Sequence, residues 1–155
     1  MTSLEIKHAL LSYFRFKRQY ICASECLNND VMVITKNGFT IDIEVKISKY
    51  DLWKGEAKKF KHKWLKTNPS KNYHANKFYI CVPTELLDEA EKWVNTINNK
   101  YGIIEYSGNR NVFIVKKASL LHKFKSEKLA NKIMMRVCSE NINLIGRLLN
   151  EKEKI

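Results

Sequence analysis

Asp30, Glu44 and Lys46 are the side chains whose types and spacing could do chemistry. Thirteen residues separate the two carboxylates, and a single valine separates Glu44 from Lys46. Two carboxylates brought together bind Mg²⁺ or Mn²⁺, hard cations that take oxygen ligands and keep waters for a substrate phosphate. Such a cation offsets charge on a phosphodiester under attack and lowers the pKa of a bound water. A lysine beside that water could orient it or stabilise the charge that builds up in the transition state. The three side chains contain what metal-assisted phosphodiester hydrolysis requires.

These residues must be positioned by the stretch Asp30 to Ser48, which reads as a β-hairpin. Val31 to Ile34 is a short apolar run of the kind found in a strand buried on both faces. Thr35-Lys36-Asn37-Gly38 supplies the turn, with Gly38 suited to a positive φ. From there Phe39, Ile41, Ile43, Val45 and Ile47 alternate with Thr40, Asp42, Glu44, Lys46 and Ser48, so the two sets point to opposite faces. If Lys36, Asn37 and Gly38 form the loop, Thr35 faces Phe39 and Asp30 faces Glu44, with Cβ atoms about 4.5–5.5 Å apart. A two-residue Asn-Gly turn would instead place Asp30 opposite Val45.

The Asp30…Glu44-Val45-Lys46 pattern on a hairpin resembles the PD-(D/E)XK nuclease superfamily, although Asn29 stands where the motif has its proline. Lys46-Ile47-Ser48 followed by Asp51, a lysine-rich helix, Ala75-Asn76-Lys77-Phe78-Tyr79 and Val82-Pro83 is similar to small phage and bacterial nucleases of that superfamily. The similarity spans about residues 5 to 122. The resemblance implies a restriction-endonuclease-like core, Mg²⁺ (or Mn²⁺) held by Asp30 and Glu44 with the Val45 carbonyl as a further ligand, and a catalytic Lys46. It also implies that an acid on the first helix completes the metal site, which makes Glu5 a candidate; a helix dipole equally favours an acid there. Glu25, five residues before Asp30, is either a further carboxylate of the site or a solvated strand residue.

Composition narrows the partners. The chain has 155 residues, a length suited to one domain, here read as a nuclease-like domain over 1–155. Its formal net charge of +12 favours a polyanion, nucleic acid above a membrane surface. No apolar run approaches the ~20 residues that span a bilayer, and Lys7, Arg15, Lys17 and Arg18 break up the amino-terminal region in a way no signal peptide shows. A soluble, cytoplasmic protein of a bacterial or virus-infected cell is expected. Cys22, Cys26, Cys81 and Cys138 lack zinc-site spacing. They are expected reduced, with Cys22, Cys81 and Cys138 partly in the core.

Residues 3–17 read as an amphipathic helix capped by Ser3, with Ile6, Ala9, Leu10, Tyr13 and Phe14 inward, and 20–27 as the first strand. Residues 51–66 read as one helix with Trp53, Ala57, Phe60 and Trp64 on its core stripe. From Asp51 to Lys77 lysines dominate and supply half of the net charge, so Lys54, Lys58, Lys59, Lys61 and Lys63, with Ser48, are the expected phosphate contacts. Tyr73 and His74 lie in the following loop, where they could touch substrate. Phe78–Val82, a Thr84-capped helix to about Asn99, strands 103–106 and 112–116, and a long helix over about 126–150 complete the chain. The last helix carries Leu129, Ile133, Val137, Leu144 and Leu148 on one stripe.

The expected fold is therefore α/β, a mixed central sheet with helices on both faces. The expected function is a metal-dependent deoxyribonuclease, with a homodimer allowed through the last helix. The competing reading is a non-catalytic nucleic-acid-binding or inhibitor protein on the same fold.

Overall fold

The alternation after Gly38 builds the strand that divides the molecule. A computed structural model describes residues 1–68 and 75–152; Tyr73 and His74 lie outside the described residues. In chain order the elements are α1 (Ser3–Ser12), β1 (Ile21–Cys26), β2 (Asn29–Ile34), β3 (Thr40–Val45), α2 (Phe60–Thr67), β4 (Lys77–Pro83), α3 (Leu87–Ile97), β5 (Gly102–Tyr106), β6 (Val112–Lys116) and α4 (Glu127–Lys152). The strands form one six-stranded sheet in the order β1-β2-β3-β4-β5-β6. β3, β4 and β5 run parallel, while β1–β2, β2–β3 and β5–β6 are antiparallel pairs. The sheet is mixed and carries helices on both faces, an α/β architecture as expected.

The three-residue loop is the one formed. Thr35 N donates to Phe39 O (2.8 Å), Gly38 N returns to Thr35 O (2.9 Å), and Gly38 takes a φ of +79°. Val31 pairs with Ile43 and Ile34 with Thr40, the register of the three-residue loop; the ladder ends one residue short of Asp30, whose carboxylate reaches the Val45 N–H. β1 joins β2 through Leu27 and Asn28, both at positive φ, as a tight hairpin turn demands.

Ile41, Ile43 and Val45 of β3 face α1, where they pack with Ile6, Leu10, Phe14, Val31 and Val33 in a dry core. The other side of β3, the polar face of the alternation, is also buried. Thr40, Asp42 and Glu44 are each nearly inaccessible: α2 and the segment before it close over Asp42 and Glu44 through Lys61 and Lys59, and Thr40 is bonded to Asn76. Farther along the sheet Phe78, Ile80, Trp93, Tyr101 and Ile103 make a second apolar core beneath α3.

Several expectations change. Thr2, not Ser3, caps α1, in a reciprocal capping box with Glu5. The single helix expected over 51–66 is three pieces: a wide π-type turn over Asp51–Gly55, a 3₁₀ turn over Glu56–Lys58, and α2. Lys59 is extended between them (φ −64°, ψ 131°), which resets the helical phase. α2 therefore buries His62 and Leu65, while Phe60 and Trp64, expected inward, are 79% and 45% exposed. Thr84 hydrogen-bonds Glu105 (2.6 Å) instead of capping a helix. In α4, Ser126 Oγ accepts from Leu129 N (3.1 Å) as a cap, and Leu129 and Ile133 are buried. The helix then runs past the sheet, which leaves Leu144 and Leu148 exposed. Cys138, expected partly in the core, is exposed on α4, Cys26 is buried, and all four thiols are free. Among the described residues no helix is long and apolar enough to cross a membrane.

Candidate functional site

Glu44, Val45 and Lys46 occupy the carboxyl end of β3, a strand with a parallel neighbour in β4. Ligands of open α/β sheets gather outside the carboxyl ends of such strands. Asp30 lies where β2 parts from β3, and its Oδ2 accepts the Val45 N–H (2.8 Å). Its other oxygen pairs with Lys7 Nζ (2.8 Å), an ammonium carried by α1. Burial alone would raise the Asp30 pKa, but the Lys7 and Val45 hydrogen bonds outweigh it and hold the carboxyl below its usual value.

Glu44 is 1% exposed and sits among three ammonium groups. Its Oε2 is 2.9 Å from Lys59 Nζ and 3.4 Å from Lys46 Nζ, and its Oε1 pairs closely with Lys61. Lys61 also bonds Asp42 Oδ2 and the Asn29 side-chain oxygen, both at 3.0 Å. Burial opposes the charge on Lys61, yet the carboxylates of Asp42, Glu44 and Glu56 outweigh it and hold its pKa above the ordinary value. Burial pushes Asp42 up to about 6, with Lys61 offsetting part of the effect. Asp42 Oδ1 is a buried oxygen with no hydrogen-bond partner.

Glu56 completes the cluster from the 3₁₀ turn and is fully buried. It pairs with Lys46 (3.0 Å) and Lys59 (2.9 Å) through Oε2, and Oε1 lies 2.8 Å from His62 Nε2. The lysines and His62 outweigh burial and hold Glu56 well below the usual carboxylate range. An ionised Glu56 only accepts, so Nε2 of His62 carries the proton, and Nδ1 faces the Tyr101 hydroxyl at 2.8 Å. Burial opposes the charge on Lys46, but Glu56 and Glu44 outweigh it and raise its pKa. Three carboxylates (Asp42, Glu44, Glu56) thus face three ammonium groups (Lys46, Lys59, Lys61) in one buried, charge-balanced cluster.

The structure brings Asp30, Glu44, Val45 and Lys46 together and distributes the other candidates around them. Glu25 joins the Asp30 side by pairing with Lys7. Glu5 is occupied by the helix cap with Thr2, so it is Lys7 through which α1 reaches the site. Ser48 Oγ accepts the Asp51 N–H (3.1 Å) and starts the turn after β3. Lys54, Lys58 and Lys63 are exposed as phosphate contacts would be. Lys59 and Lys61, expected among the phosphate contacts, turn inward instead to pair with Glu44. Lys7, Asp42, Glu56 and His62 were not foreseen. Asp42 alone had a signal in the sequence, since it shares the alternation face of Glu44.

Among the described residues no three His, Cys, Asp or Glu side chains form a ready-made metal cage. Mg²⁺ does not need one: it is commonly held by one or two carboxylates, with water and substrate phosphate completing the shell. Asp30 and Glu44 offer hard, ionisable oxygen donors on either side of Val45, which in type suit such a cation. Each of their oxygens is already paired, Asp30 with Lys7 and the Val45 N–H and Glu44 with Lys46, Lys59 and Lys61, so a bound ion would take the place of ammonium groups there.

No family model and no curated protein matches the sequence. In fold the chain is similar to the SPO1766 protein of unknown function from Silicibacter pomeroyi, with a TM-score of 0.68 and 14% identity over 98% of this chain and 94% of that one. At that identity the likeness is one of architecture.

Proposed function

We propose that this protein is a metal-dependent nuclease acting on DNA, with a restriction-endonuclease-like core. The observation that carries the reading is the placement of Asp30 and Glu44 on either side of Val45, at the carboxyl end of β3, with Lys46 3.4 Å from Glu44. A buried ion cluster is weak evidence for stability, since apolar replacement is often neutral or stabilising. A role in binding or catalysis accounts for it better.

Asp30, Glu44 and the Val45 carbonyl would hold Mg²⁺ (or Mn²⁺). When bound, the ion offsets phosphodiester charge and makes a coordinated water acidic enough to attack. Lys46, fixed by Glu56 at 3.0 Å, keeps an ammonium beside Glu44 where negative charge grows in the transition state. Glu56 is a positioning residue for that ammonium, and His62 and Tyr101 position Glu56 in turn. Lys59 is the most open member of the cluster, the ammonium that an arriving phosphate meets first. The exposed lysines Lys54, Lys58 and Lys63 hold the backbone, so binding should weaken steeply with salt.

One observation favours the non-catalytic reading. Both oxygens of Glu44 are already paired with ammonium groups, as in a site that needs no further cation. A cleavage assay separates the two: labelled duplex, single-stranded and four-way-junction DNA, and RNA, each with Mg²⁺, Mn²⁺ or EDTA. Metal-dependent cutting by the wild type that is lost in Lys46→Ala, with binding retained, is expected. Binding without cutting on every substrate would transfer the assignment to a nucleic-acid-binding or inhibitor protein.

A homodimer is part of the same proposal. Met135, Cys138, Ile142, Ile145 and Leu149 of α4 are exposed and recur at alternating three- and four-residue spacing, the seam of a two-helix coiled coil. Neutral Ser139, Asn141, Gly146 and Leu148 flank that seam in a chain of charge +12, so two copies meet there without like-charge contact. Two copies would give two sites for two strands.

A further inference from the structure

α2 has an unusual division of labour. One side enters the charged cluster and the core through Lys61, His62 and Leu65, while the side towards water carries Phe60 and Trp64, with Lys63 between them. A water-facing helix side normally carries polar residues. Here the two largest side chains of the helix lie one turn apart in solvent, about 6 Å along the axis. No acid occurs anywhere in Phe60–Thr67, and Lys59, Lys63 and Lys66 border the rings. Phe60 directly follows Lys59, the most open cation of the cluster, so the aromatic face begins at the mouth of the site.

We infer that Phe60 and Trp64 form a stacking platform for unpaired bases, and that the preferred substrate enters as a single strand or a frayed segment. This rests on the nucleic-acid reading above and names the substrate class for that site. Lysines alone explain a grip on phosphate in any duplex; exposed rings need a partner with accessible π-faces. Within a duplex those faces are stacked on neighbouring bases, whereas a single strand presents them to aromatic side chains. The combination of a cationic track with rings beside it is how sequence-tolerant single-strand binders are built.

The native fluorescence reports on this surface. Trp93 is fully buried, and the indole N–H of Trp53 is bound to Glu89 (3.0 Å), so Trp64 is the most exposed indole of the three. The full-length protein in EDTA, which prevents cleavage, is titrated with oligo(dT), an abasic oligonucleotide of equal length, a matched duplex, and vesicles of phosphatidylcholine and phosphatidylglycerol in equal parts. Oligo(dT) should quench the wild-type emission. Because Trp64→Ala and Trp64→Phe remove the reporting indole, affinities of all variants are read from the anisotropy of fluorescein-labelled strands, and Phe60→Ala with Trp64→Ala should weaken oligo(dT) binding about five- to hundredfold. Abasic and duplex binding should change little, and Trp64→Phe, which keeps a ring, should retain most of the affinity. Circular dichroism melting of each variant identifies any loss of fold. Equal losses on abasic and normal strands, or no loss at all, would overturn the proposal. So would emission changes with vesicles alone, which would make the face a membrane-surface helix. Because EDTA is present throughout, stacking can succeed where nuclease activity fails, and the reverse.

Discussion

β3 separates two interiors of opposite chemistry. Towards α1, Ile41, Ile43 and Val45 join an apolar core in which dispersion and water exclusion are the cohesive terms. Towards α2, Asp42 and Glu44 from the same six residues enter a cluster held by ion pairs. Both sides are buried, so exclusion from water does not distinguish them. They differ in tolerance. The apolar side loses stability in proportion to the volume removed. On the charged side, one missing partner strands an opposite charge in a medium that cannot solvate it.

The largest effect should come from stranding such a charge. Lys61→Met removes the ammonium shared by Asp42 and Glu44, and should cost about 3–5 kcal/mol in urea unfolding. An effect no larger than that of a surface lysine would break the comparison. Removing Asp42 as well should sharpen it: Asp42→Leu in the Lys61→Met background is expected to recover part of the loss, because Asp42 is no longer stranded and Glu44 keeps Lys46 and Lys59. A further loss on making the second change would show that Asp42 contributes through something other than Lys61. On the apolar side, Ile43→Val should cost about 0.5–1.5 kcal/mol, with cleavage of any substrate the wild type cuts left intact. The smallest effect on folding is expected in the outer half of α4. Ile142→Lys with Ile145→Lys should leave the unfolding free energy of the monomer within about 0.5 kcal/mol of wild type, while sedimentation equilibrium shifts from dimer to monomer. A wild type that is already monomeric at high concentration removes the dimer from the proposal.

The same contrast explains what could be read in advance. The hairpin, its register and the proximity of Asp30 to Glu44 follow from local rules, since alternation and the glycine of the turn each restrict the backbone within a few residues. The mixed sheet follows from the alternation of strands and helices. Glu56, Lys59 and Lys61 could not be placed that way. Their positions depend on the extended conformation of Lys59, and the residues around it, Ala57-Lys58-Lys59-Phe60, contain neither glycine nor proline to announce a break. Periodicity carried through that point put Phe60 and Trp64 in the core and Lys59 and Lys61 on the outer face, the reverse of what forms. Lys7 was hidden for a different reason: its partner Asp30 is distant in sequence, and only the docking of α1 on the sheet joins them.

The order of strands in the sheet is also the order of strands in the chain. Each strand therefore follows its neighbour in the chain: three of the pairs are antiparallel neighbours, while the parallel pairs β3–β4 and β4–β5 need crossover connections and form more slowly. The late, long-range step is the docking of α4, where Glu140 accepts from Ser24, a residue 116 positions earlier. The carboxylates and most of their counter-ions consequently come from different units: Asp42 and Glu44 belong to the hairpin, and Lys59 and Lys61 to the segment after it. A hairpin that forms before α2 docks holds these acids in water until that segment closes over them.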